Sequence, residues 1–367
     1  MTSGQVKGAL LEYIVRNLMM DCGFASVRPD GHYIFEQNGT GLFFINGKGA
    51  AHDADVLMEP PIQMPFSYPS RLLFECKSHQ KTTGLDVIRN ALGLRYDINE
   101  FEIVTDDSIR QRKNNHRASY AISDRKRYHY QIGVASVELF SSGAFEFAAN
   151  NKIPLLSLRW FLPEYVCNLF HEINREYIET IPDDTKALLY AYLKDKSPEA
   201  NQDFKYAPLF TFLASDSIIG VIRLEFERTR NNIVVGLLET GDLLFLFSSG
   251  SSPREFVSTL RYRDNNEARI HYQSSNPGRW TIVIRDFGNI KGDLSLDFNV
   301  PYSLLLQWNA FNFEKTMGYN LKQQFFSRIF IFFQRFTSYG LPFALINLDS
   351  EWIDNLQRGG EDFDLYE

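Results

Sequence analysis

From residue 5 to about residue 160 the apolar side chains switch repeatedly between helical and strand spacing, and that succession restricts the fold more than any other feature. Leu10, Leu11, Ile14, Val15, Leu18 and Met19 make one stripe of a helix over 5–21, which Gly23 ends as a left-handed glycine would. Short aromatic and β-branched runs follow at 32–35, 41–45, 55–58 and 72–76, punctuated by NGTG, NGKG and the proline-rich PPIQMPFSYPS. Helical spacing returns over 83–98 through Leu85, Ile88, Leu92 and Ile98, with Thr82 or Thr83 as its N-cap. Strands at 102–105 and 132–137, a helix at 142–150 and a strand at 153–158 complete one α/β domain ending near residue 160.

The pattern then changes. Helical segments over 163–194 precede alternating stretches at 218–226, 233–237, 242–247, 256–262, 269–273, 280–285 and 294–298, with hairpin turns read at 239–242 and 276–278. Helices at 302–311 and 320–339 and a strand at 343–348 follow, so residues 161–367 read as an α+β domain with a mostly antiparallel sheet. The aromatic-rich 325–336 reads as helix and core. A length of 367 residues accommodates two such domains, and 44% hydrophobic against 23% charged residues excludes disorder as the main state.

Three dispersed cysteines, Cys22, Cys76 and Cys167, fit neither a disulfide framework nor a finger-type metal site. No stretch has the ~20 apolar residues of a membrane span, and the N-terminus lacks a secretory pattern. The expectation is a soluble cytoplasmic protein with no membrane partner. The net charge of −7 belongs to the second half: 18 Lys and Arg face 17 Asp and Glu through residue 160, and 20 face 28 beyond it. A locally basic face can therefore still meet nucleic acid. The stretch 109–130 carries Arg110, Arg112, Lys113, Arg117, Arg125, Lys126 and Arg127 against Asp124 alone, interleaved with tyrosines. It reads either as a phosphate-contacting insertion or as a solvated face.

The spacing that carries chemistry is Glu12, Asp55, then Glu75-Cys76-Lys77. Glu75 and Lys77, two apart on one strand, project to the same face, while Cys76 points the other way into the interior. If that strand pairs with the one headed by Asp55, two carboxylates meet. Like charges so placed are costly unless a cation lies between them. Mg²⁺ suits one or two carboxylates plus substrate phosphate. Asp55, Glu75 and the Cys76 main-chain carbonyl would hold it, and Lys77 would orient a water and neutralise developing charge.

The stretches GALLEYIVRNLMMDCGF, GKGAAHDADVLMEP and RLLFECKSH resemble the PD-(D/E)xK nucleases, the restriction-endonuclease-like enzymes of prokaryotes, over about residues 5–160. Residues 133–158 resemble the closing strand–helix–strand of such domains. The resemblance implies a mixed central sheet flanked by helices in the N-terminal domain. It implies Asp55 and Glu75 as metal ligands, Lys77 as the residue assisting the nucleophilic water, Glu12 as support for the site or a second metal, and His52 in an accessory role. The implied activity is an Mg²⁺-dependent DNA endonuclease, with Mn²⁺ able to substitute, acting in defence against foreign DNA as a homodimer or part of a larger complex. An RNase, a structure-specific nuclease and a catalytically silent nucleic-acid- or partner-binding subunit remain open alternatives. A cysteine nucleophile at Cys76 is disfavoured, since strand alternation buries its thiol.

Overall fold

The computed structural model describes residues 1–29, 35–37, 43–63, 65–100, 127–197, 203–214, 217–248, 250, 252–253, 266–273, 275–285, 293–332 and 343–359. The expected strands at 102–105 and 256–262 lie outside the described residues.

Helix α1 (Ser3–Asp21) opens on a reciprocal cap, the Thr2 hydroxyl accepting from the Gln5 N–H and the Gln5 side chain from the Thr2 N–H. It ends at Gly23, whose φ of +88° lets the Gly23 and Phe24 N–H groups turn back to the Met20 and Met19 carbonyls. The chain continues through β1 (Ala25–Ser26), β2 (Phe35–Gln37), β3 (Phe43–Asn46), β4 (Ala51–Asp53), β5 (Val56–Glu59), β6 (Ser70–Lys77), α2 (Leu85–Asn99), β7 (His129–Ser136), α3 (Ser142–Asn150) and β8 (Leu155–Ser157). One sheet runs β1-β5-β6-β7-β8, antiparallel as far as β6 and parallel from β6 to β8; β2, β3 and β4 form a small second sheet. Period-two alternation divides the main sheet cleanly. Leu72 and Phe74 pack with α1 on one face, and Leu73 with Ile88, Ala91 and Ala144 of α2 and α3 on the other.

Helix α2 is capped differently from the expectation. Its N-cap is Gly84, with no side-chain cap, because the Thr83 hydroxyl is bonded to Ser136 Oγ at 2.7 Å and its backbone bridges to Phe140. A tertiary contact outcompetes the local cap at that position.

Beyond residue 160 come α4 (Glu164–Glu172), α5 (Arg175–Thr180), α6 (Asp183–Lys194), α7 (Ala207–Ala214) and α8 (Ile218–Thr229). Then follow β9 (Ile233–Leu238), β10 (Leu243–Phe247), β11 (Glu267–Gln273), β12 (Asn276–Ile284), β13 (Leu294–Asn299), α9 (Tyr302–Ala310), α10 (Lys315–Phe325), β14 (Arg328–Phe332), β15 (Phe343–Leu348) and α11 (Ser350–Gln357). The seven strands close a barrel in the order β10-β13-β12-β11-β15-β14-β9, antiparallel except where β11 meets β15. The molecule is thus mixed α/β with several sheets.

Three readings of the second half are corrected. Residues 218–226 are helix rather than strand: Ser217 caps the Gly220 N–H, and Ile219, Ile222 and Phe226 are buried at helical spacing. The helix expected through 325–336 stops at Phe325, and Arg328–Phe332 is a strand held by β9 on one edge and β15 on the other. Residues 276–278 lie inside β12 rather than in a turn, whereas the turn at 239–242 is present with Gly241 at φ +82°.

The core does not break at residue 160. The α1 side of the main sheet continues through α4, α6, α7 and α8 to the outer wall of the barrel, where the Phe74 and Phe245 rings stand 6.4 Å apart. Among the described residues no single helix is long and apolar enough to cross a membrane. The bent pair 204–214 and 218–232 passes by length and composition alone, and its Leu209, Leu213, Ile219, Ile222 and Phe226 are buried.

Candidate active site

The site forms where the chain changes sheets. Ala54 still belongs to the small sheet, its N–H bonded to the Phe43 carbonyl at 3.0 Å, whereas Val56 already pairs with Phe74 of β6. Asp55 stands at this handover. One further step of the β5–β6 register sets it opposite Glu75, on the same face, where regular cross-strand neighbours have Cβ atoms about 4.5–5.5 Å apart. The ladder has ended there, so the Cys76 N–H is not taken by β5 backbone and donates instead to Asp55 Oδ2 at 2.8 Å.

The same geometry aims a carbonyl. The Lys77 carbonyl accepts from the Val137 N–H on the β7 side. Backbone groups of adjacent residues on a strand face opposite edges, so the Cys76 carbonyl faces the Asp55 side together with its N–H. Lys77 Nζ lies 3.0 Å from Glu75 Oε2, which places both on the expected shared face. The Cys76 side chain goes to the α1 face, where burial, then Asp55, Glu12 and Glu75, push its thiol well up and leave it un-nucleophilic.

Glu12 arrives from α1. It is 4% exposed and both its carboxylate oxygens accept from Lys194 Nζ at 2.6 Å. Burial, then the charge of Asp55, raise its carboxyl to about 7 against the pull of Lys194. Burial also raises Asp55, and it raises Glu75 together with the charge of Asp55, so Glu12 and Glu75 each sense Asp55. Burial alone would lower Lys77; Glu75 and Asp55 more than offset it and hold the ammonium above its ordinary value.

Four side chains in the cluster were not foreseen. Lys194 and Lys196 come from the end of α6 and the residues after it. Lys196 Nζ donates to the Ala54 and Asp55 carbonyls at 3.2 and 3.1 Å and lies 4.4 Å from the Phe43 ring centre. Burial, then Arg16, pull it down to about 7. Arg16, one turn along α1 from Glu12, donates Nη2 to the Leu193 carbonyl at 2.8 Å and so ties α1 to the end of α6. Asp53 adds negative charge near Glu75. No local signal could have revealed the lysines, because more than a hundred residues separate them from the strands they join; only the K-D-K alternation at 194–196 stands out.

The other expected residues fall elsewhere. His52 Nε2 lies 2.7 Å from Asp97 Oδ2, and Asp97 also accepts from the Gly49 and Ala50 N–H groups. His52 therefore belongs to a turn pinned to α2. Arg127 is exposed and sits 5.0 Å over the Tyr68 ring. It precedes β7, beyond the end of the β6–β7 pair remote from Lys77, and that paired register alone spans about 23 Å at 3.3 Å per residue. Arg110, Arg112, Lys113, Arg117, Arg125 and Lys126 lie outside the described residues. The cavity of about 100 Å³ lined by Phe145, Trp160, Tyr302 and Phe245 sits at the junction with the barrel, away from the cluster, and is mostly apolar.

Among the described residues no group of three or more His, Cys, Asp and Glu side chains is arranged to hold a metal ion. What the cluster offers is smaller: two carboxylates, Asp55 and Glu75, and one inward carbonyl. That donor set fits a small hard cation that keeps several waters, and the mutual repulsion of the two carboxylates is what such a cation would relieve.

No family model matches the chain, and no curated protein does. A solved structure titled as a protein of unknown function, AF1548, is similar at 15% identity and a TM-score of 0.32, covering 58% of this chain and 99% of its own. A likeness of that strength carries no argument about fold or activity, and the functional reading rests on the site.

Proposed function

We propose that the protein is a divalent-ion-dependent nuclease of the PD-(D/E)xK type, whose N-terminal half is a restriction-endonuclease-like core and whose substrate is DNA. The observation that carries this reading is the register of β5 against β6, which brings Asp55 opposite Glu75 with Lys77 beside it at an open end of the sheet. The order of elements supports it: a mixed sheet with α1 on one face and α2 and α3 on the other. A role in defence against foreign DNA, in the cytoplasm, as a homodimer or within a larger complex, is the setting the sequence resemblance suggests.

Asp55 and Glu75, with the Cys76 carbonyl, would hold Mg²⁺ or Mn²⁺. When bound, such an ion polarises a scissile phosphate and lowers the pKa of a coordinated water. The chain's own residues do the rest. The Cys76 N–H fixes the Asp55 carboxylate by bonding one oxygen and leaving the other free. Lys196 clamps the Asp55 main chain from behind through two carbonyls. Lys77, held by Glu75, keeps ammonium protons to orient a water and to meet charge that develops on the phosphate oxygens.

The test is cleavage of plasmid, linear duplex, single-stranded DNA and RNA with and without divalent ion, beside Asp55→Ala, Glu75→Ala and Lys77→Ala. Ion-dependent cleavage of DNA that all three variants lose supports the reading. Preferential cleavage of RNA would move the substrate to the ribonuclease alternative. Ion-independent binding that persists in all variants, with nothing cut, would make the protein a silent binding subunit.

A further inference from the structure

We propose that Lys194 is the site's fixed second cation: its ammonium occupies the Glu12 carboxylate, so that the site takes one divalent ion, on Asp55 and Glu75, and not two. The inference rests on the nuclease reading and deepens it, and it joins the second half of the chain to the chemistry of the first.

Charge balance leads to it. Three carboxylates are gathered around Asp55, whose charge raises the cost of ionising Glu12 on one side and Glu75 on the other. Once ionised, a carboxylate as buried as Glu12 needs a counter-charge. Lys194 supplies it symmetrically, with both oxygens at 2.6 Å from one nitrogen, which leaves Glu12 no oxygen free of the ammonium. Glu75 shares one oxygen with Lys77 and Asp55 shares one with a backbone N–H, so each keeps an oxygen for a ligand. The one-ion site is therefore what remains after the chain's own cations are placed.

Lys194 is also held where it is. The Arg16 guanidinium grips the preceding carbonyl, of Leu193, and Lys196, two residues on, is bonded to the Ala54 and Asp55 carbonyls. Tyr13, one residue past Glu12 on α1, meets Tyr192 of α6 hydroxyl to hydroxyl at 3.1 Å. The end of α6 is thus fastened to α1 and to the head of β5 on both sides of Lys194. A divalent ion placed on Glu12 would face that ammonium at contact distance, and like charges exclude each other there.

The experiment is a Mn²⁺ titration of the full chain, read as bound-ion stoichiometry by electron paramagnetic resonance and calorimetry, with folding checked by circular dichroism. The wild type is expected to bind one ion. Lys194→Met frees Glu12 and is expected to bind two, Lys194→Arg to restore one, and the double variant Glu12→Gln with Lys194→Met to return to one. Two ions in the wild type, or one in folded Lys194→Met, would overturn the inference while leaving the nuclease reading intact. No ion in any variant would remove both.

Discussion

Glu12 and Glu138 are both carboxylates met by a cation from later in the chain, at the same end of the main sheet, yet they are built in opposite ways. Glu138, two residues past β7, accepts from Arg159 Nε and Nη2 at 2.5 and 2.7 Å and from His171 Nε2 at 2.7 Å. The Arg159 hydrogen bonds outweigh its modest burial, and its carboxyl is held below the ordinary range. Glu12 has an equally close partner in Lys194, but burial wins and its carboxyl goes up to about 7. The difference is solvent. The two cations are alike, the Lys194 and Arg159 side chains being 22% and 20% exposed, and it is the carboxylate side chain that differs, 6% exposed at Glu12 against 13% at Glu138. A carboxylate buried more deeply costs more to ionise than its partner returns, and such a pair persists for another reason. On the nuclease reading proposed above, that reason is the site beside it.

The comparison can be broken by mutation. Asp55→Asn removes charge from the costly cluster, so cleavage is expected to fall by at least about 10²–10³-fold while thermal stability holds or rises; a large drop in melting temperature would place Asp55 among the stabilising groups. Glu138→Gln is expected to do the reverse, losing about 2 kcal/mol in a denaturant titration because Arg159 and His171 lose a charged acceptor, with cleavage per folded molecule unchanged.

The pH dependence of stability sharpens the contrast. Because Glu138 is depressed, its contribution is present above the ordinary carboxylate range and is lost as pH falls. Glu12 is raised from 4.5 to about 7, so the folded chain holds a proton that the unfolded chain releases, and stability falls as pH rises through that window. The slope from one such proton is at most about 1.4 kcal/mol per pH unit. Comparing wild type with Glu12→Gln between pH 4.5 and 7 should show the decline flattened in the variant; equal slopes would mean that Glu12 is ionised throughout. The smallest effect is expected at Lys152, whose half-exposed ion pair with Asp242 spans from the end of α3 to the β9–β10 turn. Lys152→Ala should cost no more than about 1 kcal/mol, and a greater loss would show that this contact helps hold the barrel to the sheet.

Much of the N-terminal half was legible because its elements are local. The α1 stripe, the glycine that ends it, and the helix at 142–150 with Ser141 as its cap are each set by a few adjacent residues. Placing Glu75 and Lys77 on one face needed only strand alternation, and bringing Asp55 to them needed only one antiparallel pairing. The elements misread in the second half lack such marks. Ile218 to Phe226 shows both alternation and helical spacing, and the Ser217 cap decides between them. Arg328–Phe332 continues a helical stretch in sequence and becomes strand because β9 and β15 offer it two edges. Lys194 and Lys196 were illegible for the same reason: their role exists only once α6 packs on α1.

The most direct test of the central claim, that Asp55 and Glu75 converge to hold an ion beside Lys77, is the anomalous difference map of a crystal soaked in Mn²⁺. A single peak within coordination distance of the Asp55 and Glu75 carboxylates and the Cys76 carbonyl is the expected result. A peak elsewhere in a protein that cuts DNA, or carboxylates that stay apart in the presence of the ion, would contradict it.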